Sequence, residues 1–200
     1  MFTALQALLN TWAVSFDLPI LDWIQAHLQC GFLDKVMPVI TLFGDGGVFW
    51  ILVAVALLLF AKYRKTGFSM GMALILGLLV CNIFLKPQVA RIRPYDYQWQ
   101  YFQKEITLLI SAQHDFSFPS GHTIASFEAC TVLMLHDKRM GIPATVLAIL
   151  IAFSRLYLYV HYPTDVLVSL VLGILFGFLG NFLVNLIYKK FVYKGKYIEE

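Results

Sequence analysis

The sequence predicts an all-helical bundle built into a membrane, and three observations carry that expectation. Sixty per cent of the 200 residues are hydrophobic and 14% are charged, against about 45–50% and about 25% in soluble domains. The mean hydropathy is +0.74. The apolar residues are gathered into runs of about 16 to 20 residues, the length that crosses a bilayer as a helix.

Taken in order, residues 1–43 fit a span least well. An apolar stretch over residues 2–16 is short and stops at Asp17 and Pro19, and residues 18–42 interleave Asp22, His27, Asp34 and Lys35 with Leu, Ile, Trp and Phe. That mixture predicts helices lying in the interface or packed on the bundle, with a sixth span as the alternative. Gly44-Asp45-Gly46-Gly47 is a turn signal. Five spans follow, at residues 48–61, 68–85, 120–135, 142–160 and 164–188, each stopped by charge or Pro. A polar, aromatic-rich loop of about 33 residues, 87–119, separates the second from the third. Its Tyr95, Tyr97, Trp99, Tyr101 and Phe102 fit an interfacial aromatic belt. The expected division is an N-terminal helical segment 1–43, a membrane domain 44–190 and a tail 191–200.

Charge placement orients the spans. Lys62, Arg64, Lys65, Lys138, Arg139, Lys189, Lys190, Lys194 and Lys196 all fall on one side, nine of the 15 basic residues. By the positive-inside rule that side is the cytoplasm, so the long loop faces outward. Nucleic acid is excluded as a partner, because the basic residues border apolar runs and form no basic face. Cys30, Cys81 and Cys130 have no metal-ligand spacing and predict no disulfide framework. No Lys or Arg precedes Lys35, so insertion through the chain's own spans is expected rather than a charged secretory leader.

Against this topology, three stretches place polar groups at the outer lip of apolar runs. Lys86 and Arg93, six residues apart and followed by Pro94, can snorkel to the headgroups or bind an anion. Pro119-Ser120-Gly121-His122 opens a helix. Ser120 is a good N-cap, Gly121 clears a side chain from the free N–H groups of the first turn, and His122 stands beside whatever anion binds there. Arg155 nears the outer end of its span, while His161 precedes and Asp165 occupies the first turn of the next, which Pro163 starts. A carboxylate bonded to one imidazole nitrogen leaves the other free to act as a nucleophile or base. Ionisable groups at membrane depth are costly, which favours a functional role. A divalent metal held by His122, His161 and Asp165 is the competing reading, disfavoured by three cations close by.

The order and spacing of Lys86-(six residues)-Arg93-Pro94, Pro119-Ser120-Gly121-His122 and Ser154-Arg155-(five residues)-His161-(three residues)-Asp165 resemble the three signature motifs of the type 2 phosphatidic acid phosphatase superfamily. The resemblance covers about residues 44–188, and the first 43 residues carry none of it. It implies His161 as nucleophile forming a phosphohistidine, Asp165 orienting it, and His122 protonating the leaving oxygen. It also implies that Lys86, Arg93, Arg155, the Ser120 hydroxyl and the Gly121 N–H hold the phosphoryl oxygens, with no metal and no cofactor. The implied substrate is an amphiphile at the outer membrane surface, an undecaprenyl diphosphate or a phosphatidate or phosphatidylglycerophosphate lipid. A transporter or binding protein for a phosphorylated lipid would need the cations but not the paired histidines. Glu128, mid-span, is expected to make a structural polar contact, Asn82 to bond a neighbouring helix, and His114 and Asp115 to be solvated.

Overall fold

The computed structural model describes residues 2–193, and among them every regular element is helical. Lys194 and Lys196, counted above on the basic side, lie outside the described residues, as does most of the tail. In chain order the helices are α1 (Phe2–Trp12), α2 (Leu18–Leu28), α3 (Gly31–Leu42), α4 (Val48–Leu59), α5 (Arg64–Gly77), α6 (Lys86–Val89), α7 (Pro94–Phe102), α8 (Gly121–His136), α9 (Lys138–Tyr157) and α10 (Pro163–Ile187). A wider, π-helical stretch over Leu78–Leu85 joins α5 to α6, so the third apolar run is one rod past Lys86.

Among the described residues, four segments are long and apolar enough to cross a membrane: Gly31–Leu59, Ala61–Phe102, Lys138–Tyr157 and Pro163–Phe191. The remaining expected span, 120–135, is α8, with 16 residues, about 24 Å of helix. It can be short because it is the central helix, packed by α4, α5, α9 and α10. Glycines set its closeness to α10. A Cβ on Gly173 would come within 2.8 Å of the Ile124 carbonyl, and one on Gly177 within 2.7 Å of Thr131. Small residues of this kind let helices pack in hydrocarbon, where no hydrophobic drive brings them together. Trp50 of α4 is buried and donates its indole N–H to Ser126 of α8 at 3.0 Å. Side chains such as Ile51, Val55, Ile75, Leu78, Val171 and Phe182 stay about half exposed on the outside, as a lipid-facing belt requires.

The N-terminal segment packs on the end of the bundle that carries the loop, and its α3 runs into the Gly31–Leu59 segment. Gln25 of α2 donates to the Tyr157 carbonyl at 2.7 Å, and Asp22 accepts from Tyr159 and from Lys104. At the opposite end the basic turns meet, with Lys65 5.8 Å from the Tyr188 ring. The 33-residue loop is more ordered than its composition predicts, because Pro94 starts α7 inside it. Trp99, Tyr101 and Phe102 face outward, whereas Tyr97 packs into a cluster with Ala13, Leu18, Leu21, Tyr159 and Tyr162. Gln98 is buried on the Tyr159 hydroxyl at 2.8 Å.

Candidate active site

One cavity of about 860 Å³ is lined by Lys86, Arg93, Gly121, His122, Arg155 and His161, which come together from α6, α8, α9 and the α6–α7 and α9–α10 connections. Ser120 and Asp165, the other two expected site residues, are fully buried behind that wall. Each side chain is delivered by a helix end, where backbone groups without intrahelical partners are available.

His161 lies between α9 and Pro163 with 1% of its surface exposed. Its Nε2 is 3.4 Å from Arg93 Nη1. Its Nδ1 stands 3.6 Å from Asp165 Oδ2, beyond hydrogen-bond reach, and has no hydrogen-bond partner among the described residues. Complete burial, reinforced by the charges of Arg93, Arg155 and Lys86, pushes its pKa well below the usual imidazole value. The ring is therefore neutral, with a free lone pair, at physiological pH.

The Asp165 carboxylate is committed elsewhere. Its Oδ1 accepts from Arg91 Nη1 at 2.5 Å, and its Oδ2 accepts from the Tyr162 N–H at 3.0 Å and from the Ser117 hydroxyl. Arg91 also donates to Asp17 at 2.7 Å and to the Leu9 carbonyl at 2.8 Å, and lies over the Tyr162 ring at 3.7 Å. Asp17 in turn accepts from the backbone N–H and the hydroxyl of Thr164, at 2.9 and 2.7 Å. The three motifs include neither Arg91 nor any of the first 43 residues. Both sit in the buried network that holds the first turn of α10. The signal was a lone Asp17 ending an apolar run, opposite an Arg with no local acid.

Ser120 occupies the N-cap of α8 as expected, but its side chain caps no backbone group. Its hydroxyl accepts from Thr123 at 3.0 Å and its N–H donates to Ser169 at 2.8 Å. A Cβ on Gly121 would meet the Asn82 amide at 3.1 Å, so that glycine also admits Asn82 of the α5 rod against α8. Arg155 donates to Thr41 of α3 at 2.5 Å.

Asp115 is not the solvated loop residue expected of it. It accepts from Lys86 Nζ and from Arg93 Nη2, both at 2.5 Å, and its carbonyl accepts from Arg93 Nε at 2.9 Å. Partial burial opposes ionisation, but the bonds and charges of Lys86 and Arg93 outweigh it and hold this carboxyl well below the usual range. The two cations thus already hold one anion. His122 is held by a second unexpected acid, with its Nε2 2.7 Å from Asp45 Oδ1.

Away from the charged end the cavity turns apolar. It runs between α4 and α5, past Ile51, Val55, Leu58, Phe68, Met72 and Ile75. Several of these are about half exposed, so the groove opens sideways towards lipid. Glu128 lines its floor, 1% exposed, in a space that the missing Cβ of Gly77 leaves free, and its Oε1 has no hydrogen-bond partner among the described residues.

Comparison with known proteins supplies a second line. A family model described as the PAP2 superfamily matches residues 66–190. An undecaprenyl-diphosphatase of Sulfolobus acidocaldarius is 32% identical over 76% of this chain and 71% of its own length. Phosphatidylglycerophosphatase B of Bacillus subtilis is 31% identical over 89% of this chain and 88% of its own length. Among solved structures, a transmembrane PAP2-type phosphatidylglycerolphosphate phosphatase of Bacillus subtilis superposes with a TM-score of 0.70 at 28% identity, covering 95% of this chain and 93% of that one.

Proposed function

The chain belongs to the PAP2 superfamily, and from that premise we propose that it is an integral membrane phosphatase that hydrolyses a lipid phosphate or lipid diphosphate at the outer face of the membrane. One observation carries the reading. A single cavity joins a cluster of cations and imidazoles to an apolar groove open to lipid, which suits a molecule with a phosphate head and a hydrocarbon tail.

In this reading Lys86, Arg93 and Arg155 take the phosphoryl oxygens, with Arg93 exchanging the Asp115 carboxylate for phosphate. Neutral His161 attacks phosphorus through Nε2, and the lipid–oxygen bond to phosphorus breaks. Asp165, standing behind Nδ1, balances the positive charge that develops on the ring. His122 gives its proton to the departing oxygen and then takes one from the water that splits the phosphohistidine. Cations gathered around the phosphoryl oxygens stabilise the charge on the transferring group. Neither a metal nor a cofactor enters the scheme. The alkyl tail lies between α4 and α5. Residues 1–43 brace the site, 44–190 form the phosphatase domain, and 191–200 form a cytoplasmic tail.

Purified protein should release phosphate from phosphatidate, phosphatidylglycerophosphate or a polyprenyl diphosphate in detergent with a chelator present, and His161→Ala should abolish release. Binding without release would mark a transport or binding protein, and strict metal dependence would revive the metal site. The basic residues at the end away from the site support an outward-facing site. With exposed Cys30 replaced by Ser, an impermeant thiol reagent should reach a Cys placed at exposed His114 and miss one at Lys138. The opposite pattern would turn the site to the cytoplasm.

A further inference from the structure

We infer that Asp45 fits this site to phosphomonoesters of lipid alcohols rather than to lipid diphosphates, an inference that rests on the lipid-phosphatase reading above. The turn between α3 and α4 is moulded around His122. A Cβ on Gly44 would lie 2.5 Å from His122 Cδ2, so only glycine lets the ring seat there. Gly46 and Gly47 follow with φ of 56° and 67°, the left-handed region that glycine enters without steric cost. Between them Asp45 puts Oδ1 2.7 Å from His122 Nε2. The Asp45 side chain is 56% exposed and the His122 side chain 14%, and both line the cavity. The charge around the phosphate is therefore uneven. Arg93 stands 3.4 Å from the His161 ring, with Lys86 beside it on the same Asp115 carboxylate, whereas His122, which Arg155 and Arg93 also face, has the Asp45 carboxylate directly on its Nε2.

That asymmetry separates two classes of leaving group. From a monoester the departing oxygen is an alkoxide, whose conjugate acid is about as weak as water. It needs a proton as its bond to phosphorus breaks. Asp45 supports the imidazolium form of His122, which gives a proton to that oxygen and becomes neutral imidazole, while the oxygen keeps the bonding electron pair and leaves as the neutral alcohol. From a diphosphate the departing group is a phosphate monoester, stable as an anion without that proton. Its phosphoryl oxygens would lie at His122, against the Asp45 carboxylate. Like charges at such a distance repel, so Asp45 assists the first class and opposes the second.

The test compares a prenyl monophosphate with the prenyl diphosphate of the same chain length, on full-length protein in detergent with chelator. Wild type should show a kcat/KM for the monophosphate at least about tenfold above the diphosphate, roughly the factor that one misplaced charge commands. Asp45→Asn should raise kcat/KM for the diphosphate by about tenfold. It should also lower kcat for the monophosphate and move the alkaline limb of its pH profile to lower pH. Asp45→Glu should restore the preference. The ratio is insensitive to the fraction of protein folded, and a gain on the diphosphate cannot come from misfolding. Wild type that prefers the diphosphate, or an unchanged ratio in Asp45→Asn, overturns the inference alone. Release from neither compound overturns the lipid-phosphatase reading as well.

Discussion

Replacing Asp17 with Ala tests whether the N-terminal segment holds the site together. Asp17 and Arg91 pair at 2.7 Å with both side chains fully buried, and Asp17 also takes the N–H and hydroxyl of Thr164. Removing it leaves Arg91 with Asp165 as its one remaining carboxylate partner and strands two Thr164 donors away from water. Breaking a buried pair by deleting one partner costs about 3–5 kcal/mol, because the surviving charge stays desolvated. In a chain of this size each kcal/mol moves Tm by about 2–4 °C. The expected loss is therefore roughly 6–20 °C, read by tryptophan fluorescence on heating in detergent. Lys104→Ala is the control. Its pair with Asp22 at 2.9 Å is half exposed on both sides, and such pairs contribute at most about 1 kcal/mol. Activity of Asp17→Ala should fall as well, since the network positions Asp165 behind His161. An Asp17→Ala protein that melts within about 2 °C of the Lys104→Ala control would refute the argument.

Two further outcomes follow from the charges around the cavity. Asp115→Asn should tighten inhibition by inorganic phosphate or orthovanadate, because the anion no longer displaces a carboxylate from Lys86 and Arg93. Two pairs whose shared Asp115 is about half exposed suggest about 0.5–2 kcal/mol, or roughly 2- to 30-fold in the inhibition constant. An unchanged or weaker constant would contradict that. For His161, the unfolded ring titrates near about 6.5 and the folded ring well below it. Below about pH 6.5 the unfolded chain binds a proton that the native one does not, so stability falls as pH drops, by up to about 1.4 kcal/mol per unit. The loss levels off below the folded value. Asp115, whose folded pKa lies below its unfolded one, keeps its full contribution throughout this window. His161→Gln should flatten Tm against pH between about 7 and 5, and an equal slope in both proteins would count against a neutral buried His161.

The residues that carry chemistry were legible because their types are costly where they occur. Lys86, Arg93, His122, Arg155 and His161 interrupt the ends of apolar runs on the side away from the nine clustered basic residues, and all line one cavity. Their partners were not legible, because ion pairing between distant segments leaves no local pattern. Asp17 and Arg91 are 74 positions apart and Asp45 and His122 are 77 apart. Nothing near either acid distinguishes it from a helix stop or a turn residue. Arg91 and Arg93 look interchangeable in the sequence, yet one is locked in a buried network and the other faces the cavity. The helix α7 was hidden for a different reason. Its aromatic and polar residues show no apolar periodicity, and its order comes from packing Tyr97 and Gln98 against the N-terminal helices and Tyr159. The 120–135 span matches α8 closely, whereas 48–61 and 68–85 belong to longer segments, Gly31–Leu59 and Ala61–Phe102, because helix continues through the turns and charges that mark the ends of the apolar runs.

The most direct test of a convergent phosphate pocket with His161 at its centre is to trap the covalent intermediate. Brief mixing with a radiolabelled lipid phosphate, an alkaline quench and peptide mapping should find base-stable, acid-labile label on His161. With a lipid diphosphate, whose leaving group needs no proton, the label should rise in His122→Ala, where hydrolysis of the intermediate is slowed. Label on another residue, or label that persists in His161→Ala, would contradict the account.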